Sequence, residues 1–362
     1  MMQKNKLPLK GLKILDLTRL LPGPVATMHL ADMGAKVIKI EDKNQGDYSR
    51  SMSHVRNQIS LLYLTVNKNK KVLRLNLKEK KDYKKFLHLI KEVDVLIESF
   101  RPGVMKKLHL DWNVLKNHNE KLVMCSISGF GQNGPLSSLA GHDINYLGLS
   151  GMLSQNSGSD GKPVLPNLQI ADLLGGALSA VQGILAGVFS VKMGNKGCFV
   201  DISMTDSVFA HNIMPLLSIN FFGKSSNPAR DFLTGGLPCY NIYKTRDKKF
   251  MALGALELKF WRNFCLILNR KDLIKKHWTL GQKIGGTQAM KVKAELEEVF
   301  STKSREYWTN EFLEKDCCVT PILTAEEAIS HYHFVEGKKI FTENHKTEGK
   351  YWKVKTPFVF KN

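Results

Sequence analysis

Three residues of this 362-residue chain stand out as candidates for proton transfer. His142 lies in the segment AGHDINY, Asp172 precedes a long uncharged stretch, and Glu257 follows a short apolar run. Imidazole and carboxyl groups are the usual general acids and bases of enzymes. Each residue also has an ordinary structural interpretation, since an aspartate at the head of a helix caps it and an isolated histidine is often structural. Residue type alone therefore marks three candidates and assigns no reaction.

The first part of the chain alternates patterns typical of strands and helices. Five short apolar runs predict strands at 12–17, 36–40, 71–77, 94–99 and 121–127. Helical spacing lies between them, as in the apolar segment 25–33 and the basic amphipathic segment 80–92. Such alternation predicts an α/β fold, with a Rossmann-like parallel sheet in a large domain.

Ligands of parallel sheets bind at the carboxyl ends of the strands. Three segments that follow predicted strands carry polar or glycine-rich sequence, at 76–78, 100–104 and 129–146. The last of them contains His142. The turn after the first strand lacks the G-x-G-x-x-G pattern, so the sequence does not predict the usual dinucleotide-binding loop.

Residues 173–191 carry no charge, and this stretch is close to the length that spans a bilayer. It contains four glycines, and we expect a buried helix packed through them rather than a membrane span. The following segment 221–238 is rich in Gly, Ser and Asn, which is typical of a linker. We therefore predict a large domain of residues 1–220 with a returning tail, 325–362, and a smaller α+β domain of residues 221–324.

The chain has 53 Lys and Arg residues against 33 Asp and Glu residues, a formal net charge of +20. This excess favours polyanionic ligands, including phosphorylated ones. The charge is scattered, and no helix-turn-helix, zinc or aromatic-basic pattern accompanies it, so we expect no specific nucleic-acid binding.

The six cysteines show no C-x-x-C spacing, which predicts free thiols in a reducing compartment and no metal site. The N-terminal segment is basic but has no apolar core, and the C-terminal residues match no peroxisomal or prenylation motif. A cytoplasmic location is therefore expected.

Seven segments, in order and spread over more than 300 residues, resemble the alpha-methylacyl-CoA racemases of the family III CoA-transferase superfamily. They are GLKILDLTRLLPGPVATMHLADMGAKVIKIE, DVLIESFRPGV, SGFGQNGP, AGHDINYLGLSGML, IADLLGG, GALELKFW and DCCVTPIL. The resemblance implies an interlocked homodimer that acts on an acyl-CoA thioester. It also implies that no separate cofactor is needed, because coenzyme A is part of the substrate.

The resemblance implies that the enzyme removes the α-proton of a 2-methylacyl-CoA on one face and returns a proton on the other, through an enolate. His142 and Asp172 are similar to the family's two acid/base groups, and Glu257 to the carboxylate that supports the histidine across the subunit boundary. Such a carboxylate would fix the tautomer of the ring and raise its basicity.

The resemblance also implies contacts with CoA. Arg101 matches a CoA-contacting arginine, the segment of Leu75, Asn76, Leu77 and Lys78 matches the adenosine end, and residues 141–146 match the acyl-thioester end. In this last segment the implied contacts are Gly141, Asp143, Ile144, Asn145 and Tyr146. Asp143 and Asn145 are also expected to order the loop of His142.

Two features depart from the racemase pattern. Racemases often carry an arginine where this chain has Asp42, so we expect Lys43 or Lys39 to substitute for it, or phosphate binding there to be weaker. The sequence PNLQIAD, which ends at Asp172, also resembles CoA-transferases. The alternative is therefore a family III CoA-transferase in which Asp172 is the nucleophile. His142 and the segment 254–258 favour the racemase, because transferases generally lack this histidine and have a glycine-rich loop at 254–258.

Overall fold

Six parallel strands form the main sheet of the computed structural model, which describes residues 7–158 and 160–360. The strands are β1 (Lys13–Asp16), β2 (Lys36–Glu41), β3 (Lys71–Arg74), β4 (Val95–Glu98), β5 (Val123–Ser128) and β6 (Phe199–Ser203). Their order across the sheet is β3-β2-β1-β4-β5-β6. The predicted α/β fold is thereby confirmed, and the order reverses between β1 and β4, where parallel sheets open a ligand-binding crevice.

The helices of this part of the chain connect the strands and cover the sheet. They are α1 (Pro22–Asp32), α2 (Leu61–Val66), α3 (Lys80–Ile90), α4 (Val104–Lys107), α5 (Trp112–Leu115) and α6 (Asp143–Leu149). The next helix along the chain is α7 (Met152–Gln155). All residues of β4 and β5 are buried, because both faces of the sheet are covered. The core therefore lies between sheet and helices, and the carboxyl ends of the strands remain available to a ligand.

The uncharged stretch forms one continuous helix, with π-helical geometry over Ala171–Leu178 and α-helical geometry in α8 (Ser179–Lys192). It is long and apolar enough to cross a membrane by length and composition, a test that the core helix of a soluble protein also passes. Its glycines pack on the sheet: a Cβ at Gly183 would lie 2.6 Å from Val200, and one at Gly187 would lie 2.8 Å from Val123. The helix is thus packed through its glycines, as predicted.

The described residues form two compact units, 7–152, 166–212 and 332–360 in the first, and 153–158, 160–165 and 213–331 in the second. The sequence pattern predicts the smaller domain at 221–324. Residues 153–165, which follow the end of α6, are far in sequence from the rest of the second unit. Residues 1–6 and 361–362, which belong to the terminal segments interpreted above, lie outside the described residues.

The second unit contains a three-stranded sheet in the order β7-β8-β9 and an aromatic core. Its strands are β7 (Tyr240–Lys244), β8 (Phe250–Gly254) and β9 (Val319–Pro321). Phe264, Phe300 and Trp308 lie in this core, packed on the hairpin of β7 and β8. The helices from α9 to α15 are α9 (Met204–Ala210) in the first unit, α10 (Ile213–Phe222), α11 (Leu258–Ile267), α12 (Thr287–Ser301), α13 (Arg305–Phe312) and α14 (Ala325–Ser330) in the second, and α15 (Tyr332–Glu336) in the first.

The C-terminal segment of the first unit is a hairpin of β10 (Ile340–His345) and β11 (Gly349–Val354). Its turn residue Glu348 accepts hydrogen bonds from the backbone amides of residues 56–59, at 2.8–3.2 Å. These bonds hold the pKa of Glu348 at about 2. The hairpin therefore fixes the segment that precedes α2.

Buried charges hold the loops at the carboxyl ends of β1 and β2. Lys39 Nζ lies 2.8 Å from Asp47 Oδ2 and donates a hydrogen bond of 2.7 Å to the carbonyl of Thr18, and both charged side chains are fully buried. Asp47 Oδ1 in turn accepts a hydrogen bond from the amide of Leu20. The pair fixes the loop after β1 against the loop after β2, because a buried charge must keep its partner.

We predict that Lys39→Met lowers the free energy of unfolding by about 3–5 kcal/mol, because it leaves the Asp47 carboxylate buried without a counter-charge. Lys39→Met/Asp47→Asn should recover part of the loss, since the asparagine amide oxygen still accepts from Leu20 and carries no charge. Denaturant unfolding measures the free energy of unfolding of the single and the double variant. Lys36→Met, at an exposed position of the same strand, is the control and should change stability by less than about 0.5 kcal/mol. A Lys39→Met variant as stable as this control would contradict the role of the pair.

Candidate functional site

A cavity of about 450 Å³ lies at the carboxyl ends of β1 to β4, across the point where the strand order reverses. This volume is within the usual range for small-molecule sites. Its lining combines apolar side chains with polar and charged ones. The lining residues are Leu17, Arg19, Ile40, Asp42, Asn44, Gln45, Leu75, Asn76, Leu77, Lys78, Phe100, Val104 and Leu108.

Four of the residues predicted to contact CoA, Leu75 to Lys78, line this cavity. Their segment follows β3 and is fixed by Asp82, whose carboxylate accepts a 2.7 Å hydrogen bond from the Asn76 amide. Arg101 is exposed and lies outside the lining, although its neighbour Phe100 is part of it. The structure thus brings the predicted adenosine segment to a cavity, with Arg101 one residue beyond the wall.

Neither lysine expected to replace the family arginine lines the cavity. Lys39 is buried in its pair with Asp47, and Lys43 Nζ lies 2.6 Å from Asp82 and 3.0 Å from Glu79. Asp42, in contrast, does line the cavity. Its carboxylate accepts hydrogen bonds from the amides of the next residues, Asn44 and Gln45, and these bonds lower the pKa of Asp42.

The cation that reaches the cavity from the loop after β1 is Arg19, which the sequence analysis did not select. Its guanidinium carbon lies 5.1 Å from the ring centre of Tyr48 and 5.3 Å from that of Phe100. Its Nη1 also donates a 3.0 Å hydrogen bond to the Tyr48 hydroxyl. A usable signal was present, because a basic residue directly after the first strand of a parallel sheet stands at the ligand-binding edge.

Phe100 is positioned by a second residue that sequence reasoning missed. Glu98, at the end of β4, accepts a 2.7 Å hydrogen bond from the Phe100 amide and another from the Ser126 hydroxyl. Burial raises the pKa of Glu98 to about 7, so this side chain is held in the interior partly in its neutral form. Apolar neighbours in the sequence gave no indication of this role.

His142 and Asp172 lie at the starts of two helices that meet in the first unit. His142 is the residue before α6, and Asp172 lies in the first turn of the π-helical segment. The two helix starts are joined by a 2.9 Å hydrogen bond from the amide of Asp172 to Oδ1 of Asp143. A carboxylate at this position satisfies a backbone donor that the helix itself leaves free. Residues 30 positions apart in the chain are therefore held at one place in the fold.

The His142 loop is ordered by its own residues. Asn145 Oδ1 accepts a 3.0 Å hydrogen bond from the His142 amide, which caps α6, and the Tyr146 hydroxyl donates one of 2.5 Å to the carbonyl of Gly141. The Tyr146 ring approaches Gly129 so closely that a Cβ there would lie 2.5 Å away. His142 and Ile144 remain exposed, so the loop presents an imidazole and an apolar side chain on a fixed backbone.

The electrostatics of the helix starts favour proton transfer at Asp172. Burial, together with the charge of Asp143, raises the pKa of Asp172 to about 7. Burial also raises the pKa of Tyr146 to about 12; the charge of Asp172 adds to this shift and that of Arg101 opposes it. A carboxyl group with a pKa near 7 can both accept and deliver a proton at physiological pH.

Glu257 lies in the second compact unit, exposed, at the residue before α11. Its charge acts on Cys318, whose pKa is raised first by burial and then by Glu257. Within the described residues, no three His, Cys, Asp or Glu side chains are grouped as metal ligands would be.

Comparison with protein-family models matches residues 9–362 to "CoA-transferase family III". The chain belongs to this family. A CaiB/baiF CoA-transferase family protein of Caenorhabditis elegans, ZK892.4, is 36% identical over 91% of this chain and 89% of its own length. The human alpha-methylacyl-CoA racemase is 34% identical over 92% of this chain and 82% of its own length. Relatives also include the mouse succinyl-CoA:glutarate CoA-transferase, 31% identical over 95% of this chain and 78% of its own length.

The fold of the family III chain also has a solved counterpart. A CAIB/BAIF family protein from Brucella suis superposes with a TM-score of 0.81 and 24% identity, over 98% of this chain and 92% of that protein. The fold and the family thus agree. Relatives of similar identity are named both as a racemase and as CoA-transferases, so membership fixes a CoA-related enzyme family and the site must distinguish the two reactions.

We predict that Asp143→Asn lowers the pKa of Asp172. Asparagine keeps an oxygen acceptor for the Asp172 amide and removes the negative charge, which favours ionisation of Asp172. Burial is the larger cause and remains, so the pKa should stay above the ordinary value of 3.8. The pKa of Asp172 is measured by infrared or ¹³C-NMR titration of the carboxyl groups. The signal of Asp172 is identified as the one that is absent from the Asp172→Asn variant. Asp111→Asn, which changes the cap of α5 in the same way, is the control. An unchanged or higher pKa in Asp143→Asn would contradict the coupling.

Proposed function

We propose that this protein is a racemase that interconverts (2R)- and (2S)-2-methylacyl-CoA thioesters. The observation that supports it most is the carboxyl group of Asp172, held at a helix start beside the His142 loop with a pKa near 7. Racemisation needs two groups of comparable acidity that exchange the roles of acid and base. The relation to the human alpha-methylacyl-CoA racemase is in agreement with this chemistry.

In the proposed mechanism, neutral His142 takes the α-proton from one face of the substrate, and the electron pair of the broken C–H bond moves into the thioester to form an enolate. The protonated carboxyl of Asp172 then gives its proton to the other face of the same carbon, and the enolate returns to the thioester. The reverse direction starts with ionised Asp172 and protonated His142. No electrons are lost or gained, so the reaction requires no redox cofactor.

The cavity at the strand ends is the proposed site of the adenosine end of CoA. Leu75 to Lys78 and Phe100 line it, and residues 141–146 would take the acyl-thioester end. Arg101 follows Phe100, and its charge acts on Tyr146 of the His142 loop. Arg101 is therefore the residue that lies near both proposed ends of the ligand, and we propose that it contacts CoA between them.

A CoA-transferase is the second candidate, because relatives with that name match the chain at similar identity. In that reaction the Asp172 carboxylate would attack the thioester and form a mixed anhydride, with CoA as the leaving group. A carboxyl group that is about half protonated at neutral pH is a poorer nucleophile than an ionised one, since the proton occupies the attacking lone pair. The raised pKa of Asp172 therefore favours proton transfer.

The decisive measurement is α-proton exchange in heavy water with a single-epimer 2-methylacyl-CoA. We expect deuterium uptake at the α-carbon and loss of the single configuration without any added carboxylate. His142→Ala and Asp172→Ala should each slow this exchange by about 100-fold or more, because each removes an acid/base group. CoA binding should remain, and His211→Ala, which changes an exposed histidine after α9, should behave as the unmodified protein. Exchange that requires a carboxylate acceptor would establish the transferase instead.

We also propose that the active form is a homodimer in which Glu257 of one subunit supports His142 of the other. Helix α10 supports an association of this kind: none of its ten residues is buried within the chain, and Phe221 is 82% exposed. Large apolar surfaces of this type are usually covered by a partner. The proposal makes the site dependent on residues from two chains.

Subunit mixing tests this arrangement. His142→Ala and Glu257→Ala homodimers should each have low activity, whereas mixing them after mild dissociation should restore a fraction of it, because half of the sites in a mixed dimer carry both native residues. Sedimentation gives the oligomeric state. A monomer with full activity, or mixtures that never exceed the two parents, would contradict the shared site.

A further inference from the structure

The lining of the cavity at the strand ends combines apolar side chains with an unequal set of charges. Its lining contains two cations, Arg19 and Lys78, and one carboxylate, Asp42. Most of the remaining wall is aliphatic or aromatic, as a planar base requires. Cations in the lining of such a pocket are typical of sites that bind phosphorylated ligands.

Three other basic side chains close to this edge of the sheet are already neutralised. Lys39 is paired with Asp47 and Lys43 with Asp82 and Glu79, while Lys70 lies 3.3 Å from Asp16. Their positive charges are matched by neighbouring carboxylates, so they add little to the field in the cavity. Within the lining itself, the cations available to an anion are therefore Arg19 and Lys78.

The position of Arg19 is fixed before any ligand arrives. Its backbone amide donates a 3.3 Å hydrogen bond to Ser99 Oγ, and the next residue, Leu20, has a left-handed backbone (φ 67°) held by Asp47. The side chain lies between the rings of Tyr48 and Phe100. Ordering of this kind removes much of the entropy that a free arginine loses on binding.

Arg19 also keeps donors for a ligand. A guanidinium group has five N–H donors, and Tyr48 accepts from one of them. The side chain is half-buried, so its interaction with an anion is less screened than at an open surface. Arginine presents its donors as a planar fork, which matches the oxygens of a phosphate group.

We propose that Arg19 is the phosphate-binding residue of this cavity and grips a phosphate of the adenosine 3′,5′-bisphosphate end of CoA. The inference rests on the proposed function, because it takes CoA as the ligand. It assigns to the loop after β1 the role that the family resemblance led us to expect for Lys39 or Lys43. Asp42 lies in the same lining and opposes the phosphate, which makes Arg19 more important for affinity.

Calorimetry with CoA, adenosine 3′,5′-bisphosphate and adenosine tests the inference. Arg19→Ala should weaken binding of the two phosphorylated ligands by roughly 10- to 100-fold and change adenosine binding little. Arg19→Lys should bind these two ligands with an affinity between those of the unmodified protein and Arg19→Ala, because lysine keeps the charge and lacks the planar set of donors. Arg246→Ala, which removes the same charge from the exposed turn between β7 and β8, is the matched control and should bind all three ligands normally.

The outcomes separate this inference from the proposed function. An unmodified protein that does not bind CoA would overturn the proposed function. If the unmodified protein binds CoA and Arg19→Ala binds it equally well, only the role of Arg19 is overturned. An equal loss for adenosine and for its bisphosphate would also overturn it, because Arg19 would then support the pocket wall and not a phosphate.

Discussion

The hydrogen bond from the Asp172 amide to the Asp143 carboxylate is the constraint on which the proposed chemistry depends. It joins the helix start of Asp172 to the loop of His142, which are separated by a long stretch of sequence. The same carboxylate contributes its charge to the raised pKa of Asp172. One side chain thus fixes the place of the neighbouring group and adds to the effect of burial on its pKa, because a carboxylate that caps a helix also repels a second negative charge.

Buried polar contacts also fix the loops at the carboxyl ends of the strands. The buried pair of Lys39 and Asp47 fixes the loops after β1 and β2, and Asp47 holds the backbone of Leu20 next to Arg19. Glu98 fixes the amide of Phe100 at the end of β4. These polar groups are satisfied inside the protein, which keeps the cavity walls in place without a ligand. Loops fixed in this way suit the proposed site, which would bind a long, flexible thioester in a single position.

The family relationship identifies the scaffold, whereas the side chains of the site bear on which reaction takes place. Racemase and transferase relatives share the scaffold, so the scaffold alone leaves both reactions open. The proposal of a racemase rests on the ionisation of one carboxyl group, since a nucleophile must be charged and a proton carrier must change its charge easily. The burial of Asp172 is therefore the physical basis of the proposed function.

The sequence by itself determined the parallel sheet, the glycine-packed helix and the family, because these follow from short-range periodicity and ordered motifs. It also placed Leu75 to Lys78 at a strand end, where the cavity is found. Only the tertiary structure decided that Lys39 and Lys43 are neutralised while Arg19 lines the cavity, and that residues 153–158 and 160–165 belong to the second compact unit. The reason is that charge pairing, burial and pKa depend on residues far apart in the chain, and no local pattern records which of them meet.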